Sequence, residues 1–130
     1  MILAKRLAQA RRAILTERKR QIEVEGWMPE HDDAHADGEM LIAAILYYAN
    51  AKRQPDDPPL TLKADGSPVG WPWEATWWKP KTPARDLIRA GALCLAEKDR
   101  LRRAKRPWTA HVDQKLRLIT ARLADNLVTS

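Results

Sequence analysis

Residues 25–40 read EGWMPEHDDAHADGEM: six carboxylates and two histidines within sixteen positions, with no Lys or Arg among them. Side chains four apart share a helix face. A helix through this stretch would align His31, His35 and Glu39, with Asp33 and Asp37 forming a second pair one step round. His-x-x-x-His with a carboxylate at the next turn can hold a transition metal from one face. Glu30, Asp33 and Asp37 without the histidines, with Glu97 brought near by the third helix, would instead suit Mg²⁺ and a phosphate-bearing ligand. The plainer reading is helix capping and a solvated acidic face, because acids at a helix start complement the positive end of its dipole.

A second constellation is WPWEATWWKPK, residues 71–81. Trp71, Trp73, Trp77 and Trp78 fall within eight positions, and Lys79, Lys81 and Arg85 follow directly. An indole face stacks on a nucleobase for about 1–3 kcal/mol per base in nucleic-acid platforms. Cations at the start of a helix, beside its free backbone N–H groups, favour anions. Together these are the parts of a nucleotide site, with Trp27 as a further wall, although no glycine-rich phosphate loop accompanies them. The structural alternative is a satellite core that fastens a long loop to the rest of the molecule. No catalytic residue can be named. There is no Gly-x-Ser-x-Gly and no Cys-x-x-Cys, and Cys94, between Leu93 and Leu95, reads as a small buried hydrophobe.

The elements that must carry these groups are helical. Leu, Ala and Ile dominate the apolar 45%, Phe is absent, and the spacing predicts four helices. Helix one covers about 3–24, with Leu3, Leu7, Ala10, Ile14, Leu15, Arg18 and Ile22 at helical spacing, and ends at Gly26. After a short linker, helix two covers about 33–51, with Asp32 or Asp33 as its cap and Leu41, Ile42, Ile45, Leu46, Tyr48 and Ala49 as its core stripe. Residues 52–82 are too proline-rich for helix and form a long Trp/Pro-rich loop, with a hairpin or turn tipped by Asp65-Gly66. Thr82-Pro83 starts helix three, about 83–105, buried along Leu87, Ile88, Gly91, Leu95 and Leu101. Gly91 and the neighbouring alanines imply a close helix contact. Thr109 caps helix four, about 110–127, on a stripe of Val112, Leu116, Ile119, Leu123 and Leu127. The expectation is one all-α, four-helix bundle-like domain over residues 1–130.

A net charge of +6 is concentrated in RLAQARRAILTERKRQ (6–21) and KDRLRRAKRPW (98–108). Such runs are solvated faces or nucleic-acid contacts. No apolar run approaches the ~20 residues of a membrane span. The N-terminus lacks the sustained apolar stretch of a signal peptide, so a cytoplasmic protein is expected.

ERKRQIEVEGWMPEHDDAHADGEMLIAAILYYA, WPWEATWWKP and RDLIRAGALCLAEKDRL together resemble a family of small proteins encoded by tailed phages and prophages, over about residues 17–101. That resemblance implies a phage accessory protein, such as an anti-defence factor, acting in a bacterial host. More loosely, the chain is similar to all-α nucleotide pyrophosphohydrolases of the MazG type. Those carry Glu-x-x-Glu and Glu-x-x-Asp on two helices and hold Mg²⁺ against a triphosphate. Here the matching residues are Glu30-x-x-Asp33 and Glu97-x-Asp99, and the second spacing departs from that pattern.

Three functions follow as expectations. The first is binding of a phosphorylated nucleotide-like ligand, with sequestration or Mg²⁺-dependent hydrolysis. The second is a host-protein partner held by exposed Trp anchors. The third is nucleic-acid binding through the basic helix faces. A homo-oligomer is left open. The acidic segment is expected to face helix three, where Arg85, Arg89 and Arg100 are its available partners.

Overall fold

Thr82 Oγ1 accepts a hydrogen bond from the Arg85 N–H at 3.2 Å, and Pro83 occupies the first helical position. These two residues start the central helix of the molecule, in a computed structural model that describes residues 2–24, 38–107 and 109–129 (for 128 and 129 the backbone alone). Four α-helices lie among the described residues: α1 (Ile2–Glu23), α2 (Glu39–Ala51), α3 (Pro83–Arg103) and α4 (Thr109–Thr129). A single 3₁₀ turn, Ala75–Trp77, interrupts the loop before α3. The all-α, four-helix bundle-like fold is therefore as expected.

Helix α3 packs against all three other helices, and α1 also packs against α4. This explains why α3 is buried almost all round, on Leu87, Ala90, Gly91, Leu93, Cys94, Ala96 and Leu101. Its small residues let neighbours approach closely. A Cβ on Gly91 would stand 2.5 Å from Ile14 Cδ1, so α1 crosses α3 where only a hydrogen fits. The expected close contact at Gly91 is present.

Directions follow from which residues meet. Glu17 meets Arg85 and Ile14 meets Gly91, so α1 runs antiparallel to α3. Gly38 meets Glu97 and Asn50 meets Asp86, so α2 does too. Lys98 pairs with Asp113 at 2.6 Å, and α4 also runs against α3. Three mutually parallel helices thus surround one antiparallel helix. α1 ends and α2 begins at opposite ends of the bundle.

Two sequence expectations about α2 need correction. The helix starts at Glu39, not near 33: Gly38 is its cap, with φ 86° and ψ −10°, and its carbonyl accepts from Ile42 N–H at 2.9 Å. A side chain is strained at that positive φ, and glycine is not. The backbone at Gly38 is thus not helical, and the expected alignment of His31 and His35 with Glu39 falls on residues outside those described. The buried face is also different. Met40, Ala43, Ala44, Tyr47 and Ala51 are buried, whereas Ile42 and Ile45 are 44% and 37% exposed. Leu41, Leu46 and Tyr48 are partly buried against the core. EMLIAAILYYANA is apolar all round, so periodicity could not choose a face. Close approach to α3 chose the alanines.

In α1, Ala10 and Ile14 are buried and Leu7 partly so, while Leu3 and Leu15 lie outside the core. Leu3, near the start of α1, stands level with the last residues of α3 and is 59% exposed. Buried Glu17, Arg18 and Gln21 continue the inner face instead. Helix α4 buries Val112, Ile119 and Leu123, with Leu116 and Leu127 partly covered, on the stripe its spacing predicts.

Candidate functional site

Residues 52–82 do not wander. Val69 N–H donates to Thr61 O at 2.9 Å and Lys63 N–H to Ser67 O at 2.7 Å, closing a small hairpin around one antiparallel bridge, Leu62 to Pro68. Gly66, at φ 90°, sits at its tip beside Asp65 as expected. Asp65 accepts from both the backbone N–H and the hydroxyl of Ser67, which lowers its pKa.

The hairpin delivers the Trp block onto α2. Trp71 is 4% exposed and belongs to the main core. Its ring meets Tyr47 edge-on at 5.7 Å, Trp73 at 5.3 Å and Trp78 at 5.1 Å, and Trp78 lies 4.6 Å from Tyr47 at a tilt of 30°. Edge-to-face pairs at these separations add about 0.5–1.5 kcal/mol each beyond area burial. The indole N–H of Trp71 donates to Glu74 O, and that of Trp73 to Glu39 Oε1, both at 3.0 Å. Trp71 lies in the core, and Trp73 and Trp78 are partly buried against it. Trp77 is the exception at 51% exposed, with Lys79 Nζ 5.5 Å from its ring centroid.

Tyr47 is the centre of this site, and it carried no functional signal in the sequence. Its hydroxyl donates to Trp77 O at 3.3 Å and accepts from the Lys79 N–H and from Arg89 Nη1, each at 3.1 Å. Arg89 also donates to Lys79 O at 2.9 Å and stands over the Tyr47 ring at 5.3 Å. The backbone on both sides of Trp78 is therefore clamped, which holds Trp77 outward on a rigid mount. Tyr47 lies seven residues after buried Met40 and four after buried Ala43, the one positional clue to its role.

The expected cations divide. Lys79 and Lys81 are exposed beside Trp77 and at the start of α3. The Lys81 backbone N–H donates to Asp86 Oδ1 at 2.8 Å. Arg85 faces the other way, pairing with Glu17 at 3.3 Å. Glu17 also accepts two bonds from Arg20, at 2.9 and 2.8 Å. Burial pushes the Glu17 carboxyl up, but the hydrogen bonds and charges of Arg20 and Arg85 outweigh it and hold the pKa below 4.5. Asp86 goes the other way. Its burial dominates over the bonds from Lys81 and Asn50 and the charges of Arg89 and Arg85, raising its pKa above 3.8.

Of the acidic constellation, Trp27, Glu30, His31, Asp33, His35 and Asp37 lie outside the described residues. Glu39 is described and holds Trp73. Glu97, the late carboxylate of the pyrophosphohydrolase likeness, is buried and accepts from Arg100 Nε at 2.8 Å, Arg100 Nη2 at 3.2 Å and the Gly38 N–H at 2.6 Å. Asp99 is exposed. Among the described residues, no three His, Cys, Asp or Glu side chains converge to hold a metal ion. Cys94 is buried, and burial, with the Glu97 charge adding to it, pushes its thiol up to about 12, so it is inert as a nucleophile.

A groove of about 480 Å³ opens elsewhere, between α1 and α4, lined by Leu7, Ile14, Leu95 and Leu116 with Arg11 and Arg117. No helix among the described residues is long and apolar enough to cross a membrane. No protein-family model, no curated protein and no solved structure matches the chain.

Proposed function

We propose that the protein binds a phosphorylated nucleotide-like ligand at the Trp-rich loop and sequesters it. The observation that carries this reading is Trp77, half exposed on a backbone clamped by Tyr47 and Arg89, with Lys79 against its ring and Lys81 close in sequence. The indole stacks on the base, and the lysines and the start of α3 meet the phosphates. A rigid mount lowers the ordering cost of binding. Hydrolysis is the less supported branch, because both oxygens of Glu97 are engaged by Arg100 and Gly38. Trp27 and a Mg²⁺ ion held by the acidic segment extend the same reading.

The test is calorimetric titration and thermal shift with a panel of nucleotides and cyclic dinucleotides, with and without Mg²⁺. At about 100 times the dissociation constant, a true ligand stabilises the fold by about 2.7 kcal/mol. Trp77→Ala should weaken binding at least tenfold, about 1.4 kcal/mol, with little change in melting temperature. No shift across the panel sinks the reading. A second reading, a host protein anchored on Trp77, is favoured by exposed Ile42 and Ile45 on α2, which suit an interface better than solvent. That reading predicts that Ile42→Ser and Ile45→Ser leave nucleotide binding intact and abolish partner binding.

A further inference from the structure

The start of the first basic run and the second run lie about ninety residues apart in sequence, yet the register of the helices brings them to one end of the bundle, while Arg18, Lys19 and Arg20 lie toward the other. Ile14 sits on Gly91, and Leu7 and Arg11 line the same groove as Leu95. From Arg11 back to Lys5, and from Leu95 on to Arg102, are six and seven residues of helix, about 10 Å each at 1.5 Å per residue. The start of α1 and the end of α3 therefore finish side by side. The pairing of Lys98 with Asp113 places the start of α4 at the same level. Lys5, Arg6, Arg102, Arg103, Lys105 and Arg106 lie at this end, Arg103 and Arg106 with contacts of their own inside the chain, and all but half-buried Arg6 are exposed.

Among the described residues, the acids at this level are largely engaged. Glu97 is paired with Arg100, Asp113 with Lys98, and Glu39 is bonded by Trp73, while Asp99 is on the surface. Arg11 and Arg117 carry the charge onward along the flank between α1 and α4. The cations thus form a strip rather than a spot. Four of the six at the end are Arg, whose planar donors take phosphate oxygens in pairs.

We infer that this end of the bundle is a docking surface for the phosphate backbone of a nucleic acid, separate from the Trp77 face. A strip of arginines along a helix flank fits a polymer of regularly spaced phosphates better than single headgroups. Such binding must be steeply salt-dependent, because each neutralised phosphate releases condensed counterion.

The test uses the full chain and a fluorescein-labelled DNA duplex of about 20 base pairs, read by anisotropy between about 50 and 200 mM NaCl. Lys5→Gln, Arg102→Gln and Lys105→Asn together remove three charges at the basic end. Lys19→Gln, Lys52→Gln and Arg53→Gln remove three at the other end. The expected result is binding by the wild type and the second variant with the same slope. For the first variant, affinity should fall at least tenfold and the slope of log affinity against log salt should flatten by about 2 to 3. Helical circular dichroism of both variants should match the wild type. Lack of binding at the lowest salt overturns the inference. So does equal weakening by both triple variants. Tighter binding to phosphatidylglycerol vesicles than to duplex at equal phosphate overturns it in favour of a membrane surface.

Discussion

Glu17 and Asp86 are both buried carboxylates, yet their surroundings push them in opposite directions. For Glu17 the folded-state pKa lies below 4.5, so its stabilisation is fully present above pH 4.5 and is lost as pH falls through the lower folded value. For Asp86 the folded-state pKa lies above 3.8, so its charge weakens the fold at neutral pH, and that cost is relieved as pH falls through the raised value toward 3.8. Glu17→Gln should therefore cost about 1–3 kcal/mol at pH 7, by leaving Arg20 and Arg85 without their carboxylate, with the difference from wild type closing in acid. Asp86→Asn keeps an acceptor for the Lys81 N–H and removes the buried charge. Its melting temperature at pH 7 should equal or exceed that of the wild type. Urea unfolding of both variants at several pH values between 3 and 7 (about one unit apart) checks the signs, and a destabilised Asp86→Asn at pH 7 would contradict this account.

At the scale of the elements, the tightest joint is α1 on α3. Gly91→Ala would place a methyl 2.5 to 2.9 Å from three carbons of Ile14, and all three belong to a side chain already in the core. Overpacking of this kind costs about 1–3 kcal/mol. Ile14→Ala alone should cost about 2–5 kcal/mol by leaving a cavity. In the double variant the new methyl occupies part of that cavity. The two changes should be less than additive, by about 1 kcal/mol or more in a double-mutant cycle read by denaturant unfolding. Additive effects would mean that α1 can shift along α3 at little cost. The same joint sets the register that brings the start of the first basic run level with the second, so it links packing to the charge distribution.

For the whole molecule, +6 charges are not spread evenly. One end gathers cations from α1 and α3, while the other holds the Glu17–Arg85–Arg20 cluster, with its own compensation. Self-repulsion at the basic end weakens the fold at low ionic strength. Raising salt from about 20 to 200 mM shortens the screening length from roughly 20 to 7 Å and should raise the melting temperature. The rise should be smaller in the variant lacking Lys5, Arg102 and Lys105 charges. A melting temperature that falls with salt would show that attractive pairs, not the basic end, dominate the electrostatics.

The sequence by itself determined the helices wherever a local rule could act. Thr82-Pro83 started α3 by a cap and a preset φ, Val112–Leu127 formed one clear stripe on α4, and Asp65-Gly66 turned the hairpin. Gly91 announced a close contact because a missing side chain in an apolar run has few other uses. Much of the candidate site was also legible as composition: four tryptophans in eight positions had to be covered, and three of them are. Tertiary structure decided what periodicity left undetermined. The apolar stretch of α2 offered several equal faces, and only the small-residue surface of α3 selected Ala43, Ala44 and Tyr47 over Ile42 and Ile45. That choice put the Tyr47 hydroxyl under the Trp loop and left Trp77 as the exposed ring. The partners of Arg85 and Arg89, the opposed titration of Glu17 and Asp86, and the placing of Lys5 and Arg102 at one end of the bundle all depend on register between helices. Register is set by side chains far apart in sequence, and no local spacing encodes it.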